Sequence, residues 1–388
     1  MSSSTCPVCG SVELAPVIHV AEMPALSNAF AATTEEAQGM PRGDIELVSC
    51  ERCGMMHNAS FDPRLAPYDS AYENSLHFSP RFQTYAEALA ADLAARFGVD
   101  GGTVVEIGSG GGDFLSMVAA HGFGSGVGID PSLPAARRGR AGEATLTFLP
   151  GTLAEAPAGL QADLVICRHV LEHVPDPVAL LREAREAVSR DGAVLYVEVP
   201  DGEHMLAAPA IWDLIYEHVG YFNDAALRTA LAGAGWVVQR TGSSFGGQYR
   251  WAEATTAGPV TVDGGRPGPE GDMSESARRF AEAYSATVRR WSGFMEAERA
   301  AGRRVAAWGA GSKGVTFANS MVHGPDAMVD INERKHGRFV PGTGQRVSSP
   351  AEVAGRVETV LVMNPIYLDE VEAAGTAAGV GATYLPVD

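Results

Sequence analysis

The feature that most constrains the fold is an alternation of strand-like and helix-like segments across residues 103–256. Such alternation predicts an α/β fold, in which helices cover both faces of a parallel sheet. Two later strand-like segments, Trp236–Thr241 and Gln248–Ala254, predict an antiparallel hairpin at one edge of that sheet. The strand candidates of the alternating region are Thr103–Ile107, Gly126–Asp130, Thr145–Leu149, Asp163–Cys167 and Ala193–Val199.

A glycine-rich turn follows the first of these strands and predicts a ligand site. Glycines in such a turn let the backbone approach a ligand closely. Asp130 ends the next strand, where a carboxylate can hold ribose hydroxyls. NAD and S-adenosylmethionine (SAM) both fit this geometry, and Glu106 together with the late hairpin favours SAM; a purely structural turn is the remaining alternative. The candidate cofactor-binding residues of this region are Glu106, Gly108, Ser109, Gly110, Asp113 and Asp130.

Four of the five cysteines form two CxxC pairs, Cys6 with Cys9 and Cys50 with Cys53. In a cytosolic chain such pairs predict metal ligands before they predict disulfides. Four thiolates complete a tetrahedral Zn²⁺ site without an open position, so we predict a structural zinc module over residues 1–65. Free thiols and a redox pair are the alternatives. The fifth cysteine, Cys167, stands in an apolar stretch and is predicted to be a small buried side chain.

Length and charge narrow the number of domains and the classes of partner. A chain of 388 residues predicts two to three domains. The net charge of −18 argues against non-specific binding of nucleic acid, which needs a basic face. No apolar run approaches the ~20 residues of a membrane span. The first residues lack the basic and apolar regions of a secretory signal, so we predict a cytoplasmic protein.

A second, smaller α/β unit is predicted after a Gly- and Pro-rich linker at residues 257–272 and a long polar helix at about 274–299. Its strand candidates begin with Arg304–Trp308, after which a turn runs from Gly309 through Gly311 and Lys313. This turn has the form of a phosphate cradle. Lys313 and Lys335 are the only lysines in the sequence, which predicts an anionic ligand such as a nucleotide diphosphate. The alternative is that the glycines serve only helix–sheet packing. The later strand candidates are Met328–Asp330 and Thr359–Met363.

Several titratable side chains follow the fourth and fifth strands, where the ligand side of the sheet is predicted. Tyr216, Glu217 and His218 are consecutive, and Tyr221 follows them. Histidine is the side chain most easily tuned to act as a general base near neutral pH. The alternative is a structural His–Glu pair. His173 is predicted to reach the same pocket, and His169 is assigned either to the cofactor site or to a buried capping role.

The central region resembles the class I SAM-dependent methyltransferases. The resemblance is carried by Glu106-Ile-Gly-Ser-Gly-Gly-Gly-Asp113, by the position of Asp130 and by Cys167-Arg-His-Val-Leu-Glu-His-Val-Pro175. It implies a doubly wound, seven-stranded sheet. We therefore predict three units: a zinc module at 1–65, a SAM-dependent methyltransferase domain at 66–256 and a Rossmann-like substrate domain at 273–388.

The whole chain resembles the nucleotide-sugar C-methyltransferases, which act on 4-keto-deoxysugars in antibiotic pathways. Besides the cysteine module and Glu217-His-Val-Gly-Tyr-Phe222, the C-terminal unit carries Val305-Ala-Ala-Trp-Gly-Ala-Gly-Ser-Lys-Gly314 and Lys335-His-Gly-Arg-Phe-Val-Pro-Gly-Thr343. The resemblance implies that His218 removes a proton beside the ketone and that Glu217 orients it. It also implies that His173 or Tyr72 stabilises the enolate oxygen. The substrate-binding candidates are Tyr68, His77, Tyr221, Gly309, Gly311, Lys313 and Lys335.

Two motifs depart from the pattern of this family. Ile215 occupies the position of a tyrosine that usually stands two residues before the glutamate, so that Tyr216, counted among the catalytic candidates, directly precedes Glu217. Gly110-Gly-Gly-Asp113 replaces a common asparagine–aspartate pair. Two further hypotheses are an O- or N-methyltransferase of another natural-product intermediate and a non-catalytic protein with a SAM-type fold.

Overall fold

The structure is a computed structural model that describes residues 5–67, 72–208, 210–258 and 273–387. Three β-sheets of four, eight and five strands organise these residues. No helix among the described ranges is long and apolar enough to span a bilayer. Most of the predicted linker and the substrate-binding candidate Tyr68 lie outside the described residues.

The N-terminal module is an antiparallel sheet that carries both cysteine pairs at one end. Its elements are β1 (Leu14–Pro24), α1 (Thr34–Gln38), β2 (Arg42–Cys50) and β3 (Met56–Asn58). The first two strands pair from Leu14↔Cys50 to Pro24↔Arg42. Cys50 ends β2, and Cys53 lies in the turn that leads into β3, so one knuckle is part of the strand connection.

The central domain follows and contains most of the alternating pattern. Its helices are α2 (Pro80–Phe97), α3 (Asp113–Ala119), α4 (Pro177–Glu183), α5 (Gly202–Ala207) and α6 (Asp224–Gly233). Its strands are β4 (Thr103–Ile107), β5 (Ser125–Asp130), β6 (Arg137–Ala141), β7 (Ala144–Pro150), β8 (Ala162–Arg168), β9 (Ser189–Pro200), β10 (Gly220–Tyr221), β11 (Val237–Ser244) and β12 (Tyr249–Thr255).

The central sheet has the order β11-β12-β9-β8-β4-β5-β7-β6. The five predicted parallel strands and the antiparallel edge hairpin are confirmed. The expected count of seven strands was wrong, because β6 adds an antiparallel eighth strand beside β7. The sequence Arg137-Arg-Gly-Arg lacks the apolar spacing of a helix, and a short turn at residues 142–143 closes a hairpin instead.

The C-terminal unit is a second, fully parallel sheet. Its helices are α7 (Met273–Ala300), α8 (Ser312–Ser320), α9 (Pro350–Val353) and α10 (Leu368–Ala377). Its strands are β13 (Val305–Trp308), β14 (Ala327–Val329), β15 (Val347–Ser348), β16 (Thr359–Val362) and β17 (Thr383–Pro386). The strand order is β15-β14-β13-β16-β17, and the first strand is central, as in a Rossmann-like unit.

The three units are joined by shared packing and by strand pairing. β10 of the central domain pairs with β3, so the sheet of the N-terminal module takes its fourth strand from the chain just after His218. One apolar cluster contains Ile45 of the first sheet, Trp212 of the central domain and Phe317 of the C-terminal unit. The aromatic rings of Trp212 and Phe317 pack edge to face with their centroids 4.8 Å apart. The carboxyl ends of the parallel strands in the central and C-terminal sheets line one shared cavity.

Candidate active site

A cavity of about 810 Å³ lies between the central and the C-terminal sheets. The turns after β4 and β13 both open into it, as expected for ligand sites at the carboxyl ends of parallel strands. Asn28 of the N-terminal module also lines it. The predicted site residues that line this cavity are Tyr72, His77, Glu106, Gly108, Ser109, Gly110, Asp113, His169, His173, His218, Gly309, Gly311, Lys313 and Lys335.

The turn after β4 is held in place from the neighbouring strand. The amide of Gly108 donates to the carbonyl oxygen of Ile129 at 2.8 Å, and the amide of Gly110 donates to Asp130 Oδ2 at 2.7 Å. Gly108 has a φ of +72°, and a Cβ atom at this position would overlap the Val170 side chain. Glycine is therefore required at position 108 both by conformation and by space.

The polar groups around this turn fit SAM. Glu106 is only 4% exposed, and its Oε2 atom, like the buried hydroxyl of Ser109, has no hydrogen-bond partner among the described residues. Burial is the main cause that raises the pKa of Glu106 to about 8. Buried polar atoms of this kind are costly unless a ligand or water satisfies them. A cofactor that carries an ammonium group and ribose hydroxyls supplies the missing donors.

The carboxylate of Asp130 accepts hydrogen bonds from backbone amides, one of them in the glycine-rich turn itself. Its Oδ1 atom accepts from the amide of Ser132 at 2.8 Å, while Oδ2 accepts from Gly110. The carboxylate thus fixes the glycine-rich turn, and its predicted contact with a ribose stays a prediction. His169 lines the same cavity. Its ring centroid is 4.5 Å from that of Tyr249, and its Nε2 atom is 3.2 Å from Glu198 Oε1.

Two histidines meet in the middle of the cavity wall. The ring centroids of His173 and His218 are 4.9 Å apart. Burial, followed by the nearby His173, His169 and Lys313, lowers the pKa of His218 well below its ordinary value. Burial likewise lowers the pKa of His173 to about 4. Both imidazoles are therefore neutral near pH 7, and His218 is present in the form that can accept a proton.

The tautomer of His173 follows from its contact with the backbone. Its Nδ1 atom lies 3.0 Å from the carbonyl oxygen of Glu217. A carbonyl oxygen can only accept, so Nδ1 carries the proton and Nε2 of the neutral ring is an acceptor. Neutral His173 therefore has no proton to donate to an enolate oxygen. Of the two predicted donors, this geometry favours Tyr72, whose hydroxyl is a donor.

Three catalytic or substrate assignments need correction. Glu217 does not orient His218, because its Oε1 atom accepts from the amide of Ser27 and from the hydroxyl of Tyr72, both at 3.3 Å. It holds Tyr72 at the cavity wall instead. Adjacent residues of a loop point in different directions, which the order of the sequence does not reveal.

The two tyrosines beside this pair have structural roles. The hydroxyl of Tyr216 accepts from the amide of Asp62 at 3.0 Å, which places the ring in the interface with the N-terminal module. The hydroxyl of Tyr221 accepts from the amide of Ile215 and donates to its carbonyl oxygen, both at 3.0 Å. These contacts close the loop that carries His218, and neither tyrosine lines the cavity described above.

Glu172 is the acidic side chain that the sequence reasoning missed. It is 1% exposed, and its Oε1 atom lies 3.8 Å from His169 Nδ1 and 4.0 Å from His173 Nε2. Nitrogen and oxygen atoms of Glu172, His173 and His218 all lie within 4.8 Å of one another. The signal was the Glu172-His173 pair after β8, in which only the histidine was assigned a role.

The turn after β13 is close-packed, and both lysines of the chain lie near it: Lys313 in the first turn of α8 and Lys335 in the short helix Glu333–Lys335 after β14. A Cβ atom at Gly314 would overlap the carbonyl oxygen of Gly309, so the helix begins against the turn. The Nζ atom of Lys313 lies 2.6 Å from Asp213 Oδ1 of the central domain. Lys335 donates to the carbonyl oxygen of Ala310 at 3.0 Å. Both lysines line the cavity, and an anionic ligand there would share Lys313 with Asp213.

His77 and Asn28 complete the polar wall. The buried Nδ1 atom of His77 and the buried Oδ1 atom of Asn28 have no hydrogen-bond partner among the described residues. The amide group of Asn28 donates to Ser312 Oγ at 2.7 Å, so the N-terminal module directly contacts the second glycine-rich turn. No spacing or motif in the sequence marks Asn28 as a site residue.

The four paired cysteines converge as a metal site requires. The sulfur atoms of Cys6 and Cys53 are 3.6 Å apart, those of Cys9 and Cys50 are 3.5 Å apart, and all four lie within 4.8 Å of one another. A tetrahedral Zn²⁺ with bonds of about 2.3 Å places its sulfur ligands roughly 3.8 Å apart. Cys167 is buried in the central core, as predicted.

Two family models match the chain. Residues 81–241 match the model described as a methyltransferase domain, and residues 271–383 match the one described as a C-methyltransferase C-terminal domain. The central part of this chain is a SAM-dependent methyltransferase domain. The methyltransferase domain therefore ends in the edge hairpin, and the C-methyltransferase C-terminal domain contains the second glycine-rich turn.

A curated protein is similar to part of this chain. The ubiquinone biosynthesis O-methyltransferase of Vibrio campbellii is 30% identical over 124 residues, which is 31% of this chain and 53% of that protein. This chain thus spans about half of the length of that curated relative.

Two solved structures are similar at low identity. The Synechocystis PCC 6803 magnesium protoporphyrin IX methyltransferase with bound SAH is 24% identical and has a TM-score of 0.35, over 45% of this chain and 84% of that chain. The Burkholderia thailandensis 1,6-didemethyltoxoflavin-N1-methyltransferase is 18% identical and has a TM-score of 0.36, over 45% of this chain and 80% of that chain.

Substitution of Gly108 tests the cofactor site of the methyltransferase domain. We expect Gly108→Ala to weaken SAM binding at least a hundredfold in calorimetry, because the added methyl group displaces the turn. Gly101→Ala is the matched control: Gly101 also has a left-handed φ of +71° but stands in open space before β4. It should cost about 1–2 kcal/mol of stability and leave the Kd for SAM unchanged. Wild-type affinity in Gly108→Ala would contradict the assignment.

Proposed function

We propose that the protein transfers the methyl group of SAM to a carbon atom of a nucleotide-linked keto-deoxysugar. The observation that carries this proposal is the shared cavity. It joins a SAM-type glycine-rich turn and a neutral buried His218 on one side to the only two lysines of the sequence, both in the C-terminal unit, on the other. The match of residues 271–383 to a C-methyltransferase C-terminal domain supports carbon as the acceptor atom.

His218 supplies the base for this reaction. It removes the proton from the carbon next to the ketone, and the electron pair of the broken C–H bond forms an enolate. Bound SAM supplies an electrophilic methyl group, to which that carbon forms the new bond as the sulfur–methyl bond breaks. Tyr72 exchanges its hydrogen bond to Glu217 for one to the enolate oxygen, and burial keeps the phenol protonated by raising its pKa.

The domain arrangement supports the alignment of the two reactants. The methyltransferase domain holds the methyl donor beside His218, while Lys313 and Lys335 attract the diphosphate of the acceptor. Holding both partners in one cavity replaces a bimolecular encounter by a positioned reaction, which supplies much of an enzyme's rate acceleration. Asn28 and Tyr72 enclose the space between the two turns.

O-methylation is the second candidate function. It is favoured by the 30% identity of 124 residues to the Vibrio campbellii O-methyltransferase. That match covers only 31% of this chain. O-methylation does not require removal of a proton from carbon, so the two candidates differ in a step that can be observed directly.

Deuterium exchange at carbon distinguishes these candidates. Without SAM, the protein should exchange the proton beside the acceptor ketone for solvent deuterium, as measured by NMR. We expect His218→Gln to abolish both exchange and turnover while the Kd for SAM stays within twofold. His323→Gln, at an exposed position, is the control and should match the wild type. Turnover without exchange in the wild type would favour O- or N-methylation.

The proposed phosphate-binding role of Lys313 is tested by removing its positive charge. Lys313→Ala should raise the KM for the nucleotide-sugar about 10–100-fold, because a charge-assisted hydrogen bond contributes about 1.5–3 kcal/mol. The Kd for SAM should not change. The double variant Lys313→Ala/Asp213→Ala serves as the control for the newly unpaired Asp213. If the double variant regains the wild-type KM, Lys313 only neutralises Asp213 and does not bind the acceptor.

We also propose that the four cysteines bind one structural zinc ion. Plasma emission should find about one equivalent of zinc per chain, and Cys53→Ser should lose it together with thermal stability. Cys167→Ala should retain the full equivalent, because Cys167 lies in the core of the methyltransferase domain. A zinc-free protein with unchanged melting temperature would contradict this proposal.

A further inference from the structure

Glu172 has an unusual environment for a carboxylate. It lies in the short helix Leu171–His173, its side chain is buried, and its Oε2 atom has no hydrogen-bond partner among the described residues. The nearest basic groups are imidazoles, with His169 and His173 at 3.8 and 4.0 Å. A buried carboxyl group with an unpartnered oxygen atom costs stability, so its position beside His218 calls for a reason other than folding.

We propose that Glu172 is the positioning residue of the base: its carboxylate faces the His173–His218 pair and stabilises the proton that His218 removes from the acceptor. This inference rests on the proposed function, since it assigns a partner to the base of that reaction. We assign this part to Glu172 and not to Glu217, because Glu217 Oε1 accepts hydrogen bonds from Ser27 and Tyr72, whereas Glu172 lines the cavity.

The charge balance of the proton transfer explains the need for an acid. When the C–H bond breaks, the proton moves to the His218 imidazole and the electron pair stays with the acceptor as an enolate. The new imidazolium lies near His173, His169 and Lys313, none of which favours a positive charge. Above its own pKa, Glu172 is the nearby anion that offsets this charge. After methyl transfer the cluster releases this single proton to water, which restores the starting state.

The pH dependence follows from all groups that face this cluster. His169, His173, His218, Glu198 and Tyr72 surround Glu172, and Lys313 faces His218. Burial raises the pKa of Glu172 to about 8. As the pH falls through this value the carboxylate gains a proton and no longer stabilises an imidazolium, so the rate should fall on the acid side.

The test is the pH profile of kcat for Glu172→Gln, in comparison with the wild type and Glu172→Asp. We expect Glu172→Gln to lower kcat about 10–100-fold and to move the acid limb at least one pH unit lower, because only His218 then titrates. Glu172→Asp should keep the limb near its wild-type position. Glu183→Gln removes an exposed acid of α4 and should leave the profile unchanged. A fall in kcat with an unmoved limb would show a merely structural role and overturn the proposal.

A second measurement needs no acceptor and separates this inference from the proposed function. NMR titration of the imidazole C–H signals should show an inflection near pH 8 in the wild type, caused by ionisation of the adjacent Glu172, that is absent from Glu172→Gln. Unchanged titration would overturn the inference whatever the reaction is. Absent turnover in the wild type, together with loss of this inflection in the variant, would contradict the proposed function alone. Circular dichroism and an unchanged Kd for SAM verify that the variant is folded.

Discussion

The pairing of β10 with β3 is the contact on which the geometry of the site depends. The amide of Asn58, at the end of β3, donates to the carbonyl oxygen of Val219 at 2.9 Å, and Gly220 pairs with His57. His218 therefore lies two residues before β10, and the Cys50–Cys53 knuckle precedes β3, the strand that pairs with β10. Two paired strands of one sheet thus connect the region of the cysteine cluster with the loop that carries His218.

The same arrangement connects the N-terminal module to both glycine-rich turns. Ser27 and Tyr72 bond to Glu217 beside the base, and Asn28 bonds to Ser312 in the turn after β13. The N-terminal module consequently contains the cysteine cluster and also forms part of the cavity wall. Lys313 and Asp213 close the opposite side through an ion pair between the C-terminal and methyltransferase domains.

The fold was predictable from the sequence because the period of the apolar residues, the positions of the glycines and the spacing of the cysteines are all signals within short stretches of the chain. Thr103–Ile107 was predicted with its observed bounds, and the strands of the edge hairpin were predicted within three residues. The site was predictable only in part. Glu217 and His218 are adjacent in the chain but face different units, and Glu172 reaches the histidines only through the loop after β8. Side-chain direction in irregular loops is set by tertiary contacts, which no local pattern encodes.

The central claim is that one cavity brings SAM and a nucleotide-linked keto-sugar together for transfer to carbon. The most direct measurement is NMR of the product formed from that sugar and SAM labelled with ¹³C in its methyl group. We expect the labelled methyl group to be bonded to the ring carbon next to the ketone. This bond is detected as a one-bond carbon–carbon coupling in a product whose ring is also labelled. A label on oxygen or nitrogen, or no transfer to any nucleotide-sugar, would contradict it.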